Sequence, residues 1–480
     1  MDLKTRTIHG IGWSGISQLS TQGFQVIVKI ILARLLVPED FGIIGMALIF
    51  TTLIQTVNEL GLSAAIIQRK DVTEKHLSTF FWTSILMGVV LCIIAIAASP
   101  LVATLFREEQ VQDVVRVLSL GFVFGSVGIV HRALLEKRID FRSVATTEIG
   151  AAALFGISSI MLALSGFGVW SLVVGSILGN LGRSLFLWVL CPWRPFMLFD
   201  SKSFGELFGF GKNVMGSRML NYVSTNADYF LIARFLDATS LGLYTLAYQI
   251  GAASLTQISY IISRVAFPTF SIIQDDNAKI RVGYLKVIKY TSLITFPLLA
   301  GIGVAAPLFV PSVLGEKWMS MVVPLQILCV TGALRSVGTH VGSILLSKGR
   351  SDIQFRWNIF TAILVPGALT VGIKYGITGV AVALTLVSCF LFLIIQKITN
   401  TLIDLAFYDF FKALYPATIC SAILIISVKA FQRIFGSLQV TSILMGSVLV
   451  GATVYMIALR LLDKDSLREV RMLITEARNR

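Results

Sequence analysis

The chain has 480 residues, of which 55% are apolar and only 14% charged, and its mean hydropathy is +0.82. A water-soluble chain of this length divides into two or three domains with far more charge, so that class is excluded. The net charge of +14 is dispersed over many short connections, which argues for membrane topology and against a nucleic-acid partner.

Apolar runs of roughly 18–25 residues follow one another almost without pause, each long enough to cross a ~30 Å hydrocarbon layer. They predict an all-α polytopic membrane protein with about 14 transmembrane helices. In chain order the spans lie near 12–36, 40–61, 77–98, 112–131, 144–165, 168–190 and 213–236. They continue near 240–265, 285–306, 320–346, 355–373, 376–396, 412–431 and 439–460. The first run is too long for a signal-peptide core and holds Lys29 and Arg34, so it is expected to remain as the first span. Between spans one and two, Pro38 followed by Glu39 and Asp40 reads as a helix start, where proline and acids are favoured. No loop is long enough to fold as a soluble domain, and the tail 463–480 reads as an amphipathic segment along the inner headgroups.

Alternate connections differ sharply in charge. One set carries Lys4 and Arg6, then Arg69, Lys70 and Lys75, then Arg132, Lys137, Arg138 and Arg142, and continues so to the basic C-terminal tail. The other holds little beyond Arg107, Lys317, Lys374, Lys429 and Arg433. This bias places both termini in the cytoplasm, in agreement with an even number of spans. The five cysteines are scattered without CxxC spacing, so neither a disulfide framework nor a metal site is expected, and no motif asks for a cofactor.

The chain also repeats itself. Ile31–Phe50 is echoed by Leu231–Ile250, with Ala33, Arg34, Leu36, Gly42 and Ala47 falling on Ala233, Arg234, Leu236, Gly242 and Ala247 without a gap. Ser63 falls on Ser263 at the same offset, and the segment 98–101 resembles 305–308. Two parallel six-helix lobes are expected, 1–195 and 196–400, followed by two extra spans in 401–462.

Charges within spans are the candidate site. Lys29, Arg183, Asp228 and Arg335 sit well inside apolar runs, where each ionised group costs on the order of 3 kcal/mol if it faces lipid. They are expected to face the bundle interior. Arg34, Arg218 and Arg234 lie near helix ends, where lining a cavity and snorkelling to the headgroups remain alternatives. Glu59 and His340 join Asp228 as candidates for ion or proton coupling, with a structural or packing role as the plainer alternative for Glu59 and His340. The interior charges are mostly positive, which suits an acidic or phosphate-bearing solute.

With these residues in view, the chain resembles the Wzx-type polysaccharide exporters, lipid-linked oligosaccharide flippases of the multidrug/oligosaccharidyl-lipid/polysaccharide superfamily. The branch it is most similar to handles colanic acid and other exopolysaccharides. The resemblance rests on ARLLVPEDFG (33–42), ELGLSAAIIQRK (59–70), CPWRP (191–195) with FGK (210–212), ADYFLIARFL (227–236), FPTFS (267–271) and SKGRSDIQFRWN (347–358). It implies two lobes about a hydrophilic cavity and alternating access. The implied substrate is an undecaprenyl-diphosphate-linked oligosaccharide, moved from the cytoplasmic to the periplasmic leaflet of a bacterial inner membrane. It further puts forward Arg34, Arg234 and Arg335 as diphosphate ligands, with polysaccharide polymerase or export machinery as possible partners beside the membrane lipids. Two rivals are a cation-coupled drug antiporter of the same superfamily and a polyprenyl-sugar glycosyltransferase or polymerase. The first wants an acidic cavity; the second wants a sizeable outer loop or a catalytic motif, and the sequence offers neither.

Overall fold

The computed structural model describes residues 21–58, 66, 72–200, 219, 222, 225–253 and 255–464, and every regular element among them is helical. Nine of the described helical stretches are long and apolar enough to cross a membrane. One of them, Ser351–Leu402, is two passes joined by a tight 3-10 turn at Ile373–Tyr375. Large apolar side chains such as Leu101, Val189, Ile363 and Leu461 stand exposed along these helices, as lipid-facing rows require. The chain is a polytopic helical membrane protein. Packing divides it into two units, 1–242 and 243–480.

The first unit holds α1 (21–35 of the described residues), α2 (Pro38–Asn58), α3 (Glu74–Phe106), α4 (Gln110–Lys137), α5 (Phe141–Leu164), α6 (Val169–Leu190) and α7 (Ala227–Phe235). Helix starts follow local chemistry. Thr73 and His76 close a reciprocal cap on α3, and Asp140 caps α5 by accepting from the Ser143 amide at 3.1 Å. Pro38 opens α2, and the Asp40 carboxylate accepts from the Val37 amide at 3.0 Å, so the acidic pair builds the turn as expected. In the second copy Asp237 accepts from the Ser240 amide at 2.7 Å and opens α8 (Ala238–Tyr248).

These two matched turns cross each other. A Cβ on Gly42 would overlap the Ala238 carbonyl, and one on Gly242 would overlap the Pro38 carbonyl. Residues 38 and 42 thus meet 242 and 238, the reciprocal pattern of an internal two-fold. Elsewhere in the unit, α4 and α6 are tied by Ser184 donating to the Phe124 carbonyl at 2.5 Å and Trp188 to the Val127 carbonyl at 3.0 Å.

The second unit holds the rest of α8, which runs into a π-helical turn at Gln249–Ala253, then α9 (Thr256–Ile272) and α10 (Asn277–Phe309). It continues with α11 (Val322–Ser347), α12 (Ser351–Gly372), α13 (Gly376–Leu402), α14 (Phe407–Ile434) and α15 (Val440–Leu462). Its interior is laced with hydroxyl pairs, Thr295–Ser336 at 2.9 Å and Thr331–Thr385 at 2.7 Å, which satisfy polar groups where water is excluded. The last helix is fastened to α10 by the Tyr455 hydroxyl donating to the Leu293 carbonyl at 2.8 Å and by the ion pair Lys289–Asp463 at 2.7 Å. Lysines ending α4 and α11 act alike: Lys137 donates to the Ile66 carbonyl, and Lys348 to the Gln274 carbonyl. Outside the spans, Lys279 holds the Asp276 carboxyl below the usual carboxylate range, chiefly through its amide.

Candidate functional site

Arg335 lies in the middle of α11, whose other side chains include no Asp, Glu, Lys or Arg. Its guanidinium is half-buried and lies over the ring of Tyr248, 5.3 Å from the centroid, while Nη1 donates to the Tyr248 hydroxyl. The backbone makes this contact available. Gly332, one turn before Arg335, admits the Gly251 carbonyl of the π-turn so closely that any Cβ there would collide with it. On a different face of α11 from Arg335, Ala333, Leu334 and Val337 join Phe296, Phe392 and Leu414 around an apolar cavity of about 400 Å³.

His340 stands further along the same helix, and its ring is held from two sides. Ser263 Oγ lies 2.8 Å from Nδ1 and Thr291 Oγ1 lies 2.9 Å from Nε2. Both nitrogens are therefore engaged in packing α11 against α9 and α10. The imidazole is also the middle of a hydroxyl–imidazole–hydroxyl chain, so the geometry is compatible with both packing and proton coupling.

In the first unit Arg183 is neutralised. Nη2 lies 3.2 Å from Glu148 Oε2 on α5, Nη1 donates to Asn180 Oδ1 at 3.2 Å, and Arg132 on α4 takes the other Glu148 oxygen at 3.1 Å. Arg132 also pairs with Glu136 at 2.9 Å, which makes a network of two guanidinium and two carboxylate groups. On α6 the exposed row Leu178, Leu185 and Val189 lies on the side of the helix away from Arg183, so its charge points inward. Asp228 is buried in the first turn of α7, where its carboxylate accepts from the Tyr229 amide at 3.0 Å. Lys29 is half-buried on α1, Arg34 is exposed at the end of that helix, and Arg234 is half-buried at the matching end of α7. Glu59 and Arg218 lie outside the described residues. Among the described residues no group of His, Cys, Asp and Glu has the makings of a metal site.

The CPWRP segment folds over a buried histidine that no sequence pattern singles out. The His131 ring stacks on Trp188 at 4.8 Å and meets Trp193 edge-on at 5.3 Å. Trp193 donates to Glu74 Oε2 at 2.8 Å, while Arg194 covers Trp188 and donates to the carbonyls of Trp188, Cys191 and Trp193. Contacts spanning more than about 50 residues built this box, and spacing along the chain carries no trace of them.

Known proteins share both fold and sequence. The structure resembles that of the lipid II flippase MurJ in an inward closed conformation, with a TM-score of 0.74 at 14% identity, covering 95% of this chain and 99% of the other. An inward-facing multidrug MATE transporter aligns with a TM-score of 0.63 at 18% identity, over 81% and 98% of the two chains. At these identities the likeness establishes the fold. In sequence, the lipopolysaccharide biosynthesis protein WzxC of Escherichia coli is 34% identical over 81% of this chain and 79% of its own. The teichuronic acid biosynthesis protein TuaB of Bacillus subtilis is 32% identical over 78% and 80%. Residues 31–323, which include the duplicated turns and end at the start of α11, match the polysaccharide biosynthesis protein family along their length. By that match and by relatives that share four-fifths of their length with it, the chain belongs to this family.

Proposed function

We propose that the protein is a flippase, a carrier without catalytic chemistry, that moves undecaprenyl-diphosphate-linked oligosaccharide units from the cytoplasmic to the periplasmic leaflet of the bacterial inner membrane. Both termini are cytoplasmic in this reading, since the basic connections are those of the terminal side. The observation that carries it is the half-buried guanidinium of Arg335 in the middle of a membrane-spanning helix, held over the ring of Tyr248. A dianionic head cannot cross hydrocarbon unaided, and a cation held within the span offers it a place to rest. Lys29, Arg34, Arg218 and Arg234 are further candidate ligands read from the sequence, whereas Arg183 is structural, its charge already met by Glu148. Asp228 is the candidate for ion coupling. Glu59 remains a further candidate, and His340 serves chiefly as packing. Polymerase or export machinery receiving the flipped unit completes the expected partners. Relatives support the substrate class through their names: WzxC and TuaB in polysaccharide biosynthesis, and the succinoglycan biosynthesis transport protein ExoT of Rhizobium meliloti, 25% identical over 78% of this chain.

The test is reconstitution into liposomes with a defined undecaprenyl-diphosphate-linked sugar on one leaflet, read by enzymatic accessibility of the sugar on the other. Flipping is expected for the wild type. Arg335→Ala is expected to slow it about tenfold or more, and Arg335→Lys less, because the ammonium keeps the charge but loses the planar fork. A wild-type protein that leaves the lipid on its original leaflet rejects the assignment.

A further inference from the structure

After α6 the chain leaves helical structure for the ten residues CPWRPFMLFD (191–200). Phe196, Met197 and Leu198 follow one another there with their side chains exposed, Met197 to 90%. The backbone that carries them is fastened to the start of α3. The Phe196 amide donates to Ser78 Oγ at 3.1 Å, and the Phe196 carbonyl accepts from Trp82 Nε1 at 2.8 Å. Two turns of chain later the Asp200 amide donates to Thr79 Oγ1 at 3.0 Å. Ser78 and Thr79 are buried, so α3 gives two interior hydroxyls to main-chain groups of this segment. A loop in open water needs no such help. Irregular backbone placed where water is scarce does need it.

The depth of the segment follows from α3. Its 33 residues extend about 50 Å against a hydrocarbon layer of about 30 Å, so its first turns stand among the headgroups. Trp82, in the third turn, shares a helix face with the exposed Leu86, Val89 and Ile93, which are spaced to face lipid. Trp82, Trp188 and Trp193 all lie within 6.1 Å of the Phe81 ring, and indoles gathered at one level mark a membrane–water boundary. We propose that Phe196, Met197 and Leu198 form a lipid anchor, entering the boundary between headgroups and acyl chains as a continuation of the lipid-facing row of α3. The occupant of this surface is the bilayer itself, on the cytoplasmic leaflet in the orientation read from the charged connections. The anchor fixes the connection after α6 at the membrane surface. It requires only that the chain spans a membrane, and it stands or falls separately from the flippase reading.

Fluorescence quenching of the full-length protein in phospholipid nanodiscs tests it, with an environment-sensitive NBD label on Met197→Cys. Wild-type protein taken through the same labelling supplies the signal of the native thiols, which is subtracted. Leu86→Cys is the lipid-side reference, and Ser437→Cys, in the exposed turn before α15, is the water-side reference. Lipids carrying a nitroxide near the headgroup end of an acyl chain are expected to quench the label at 197 at least about threefold more than the label at 437. Aqueous iodide is expected to show the opposite order, by about the same factor. Labels at 197 and 437 that respond alike put the segment in water and overturn the proposal. A label at 197 shielded from both quenchers is covered by protein, which overturns it equally.

Discussion

Two arginines inside apolar helices ended in different surroundings, and the difference sets what each can do. Arg335 leans on a neutral ring and hydroxyl, which hold it in place. Arg183 shares Glu148 with Arg132, in a network whose members are about a third to a half exposed. Partial solvation limits such a pair to a modest contribution, but removing one member strands the other's charge. Glu148→Gln is therefore expected to destabilise by about 1–2 kcal/mol, and Glu148→Gln with Arg183→Gln to lose less than the two single changes combined. Thermal midpoints of the three variants in detergent decide it, and strict additivity would dissolve the coupling. From the sequence, Arg183 was legible as a charge needing an inward home. Its partner was not, because Glu148 is 35 positions earlier in the chain and only the packing of α5 on α6 brings them together. His131 was missed for the same reason, its cage being drawn from α3, α6 and the CPWRP segment.

At the scale of elements the apolar runs told most of what the structure holds. Spans expected near 320–346 and 439–460 fall within a few residues of α11 and α15, because lipid imposes one length and one secondary structure on any run that crosses it. The turn at Pro38 was equally legible through its proline and acids. The π-turn was not. QIGAA has the composition of an ordinary apolar helix, and the register that breaks it is set by Gly332, some 80 residues away, which leaves room for the Gly251 carbonyl. The crossing of α2 and α8 was visible as matched glycines whose reason was hidden. Each glycine proves to stand against a carbonyl of the opposite turn, so side chains at either position force the crossing apart. Gly42→Val and Gly242→Val are each expected to cost about 1–3 kcal/mol by overpacking. Together they should cost less than the sum, since the first change already opens the shared contact. Thermal midpoints that fall additively, or not at all, would show that the turns do not meet in the folded protein.

For the whole molecule the duplicated architecture raises a question of energetics that no single residue addresses. A carrier that takes a dianion through a site made by Arg335 moves less than two net charges if the guanidinium travels with its load, and two if it stays fixed. An inside-negative potential favours outward movement of anions by about 2.3 kcal/mol per charge at 100 mV, on the order of a fiftyfold accumulation ratio for each charge. Arg335 is anchored through Tyr248 to a braced turn of its own unit, which makes it a fixed feature of the wall. The transported unit should then carry close to its own charge across. In liposomes with a potassium diffusion potential set by valinomycin, the plateau of flipped lipid is expected to rise by more than about tenfold per 100 mV when the donor side is negative, and to reverse with the sign of the potential. A pH or sodium gradient at zero potential is the contrasting condition. If the plateau follows that gradient and ignores the voltage, the headgroup charge is compensated during transit, and Asp228 becomes the residue to replace, because it is a buried carboxylate of the first unit.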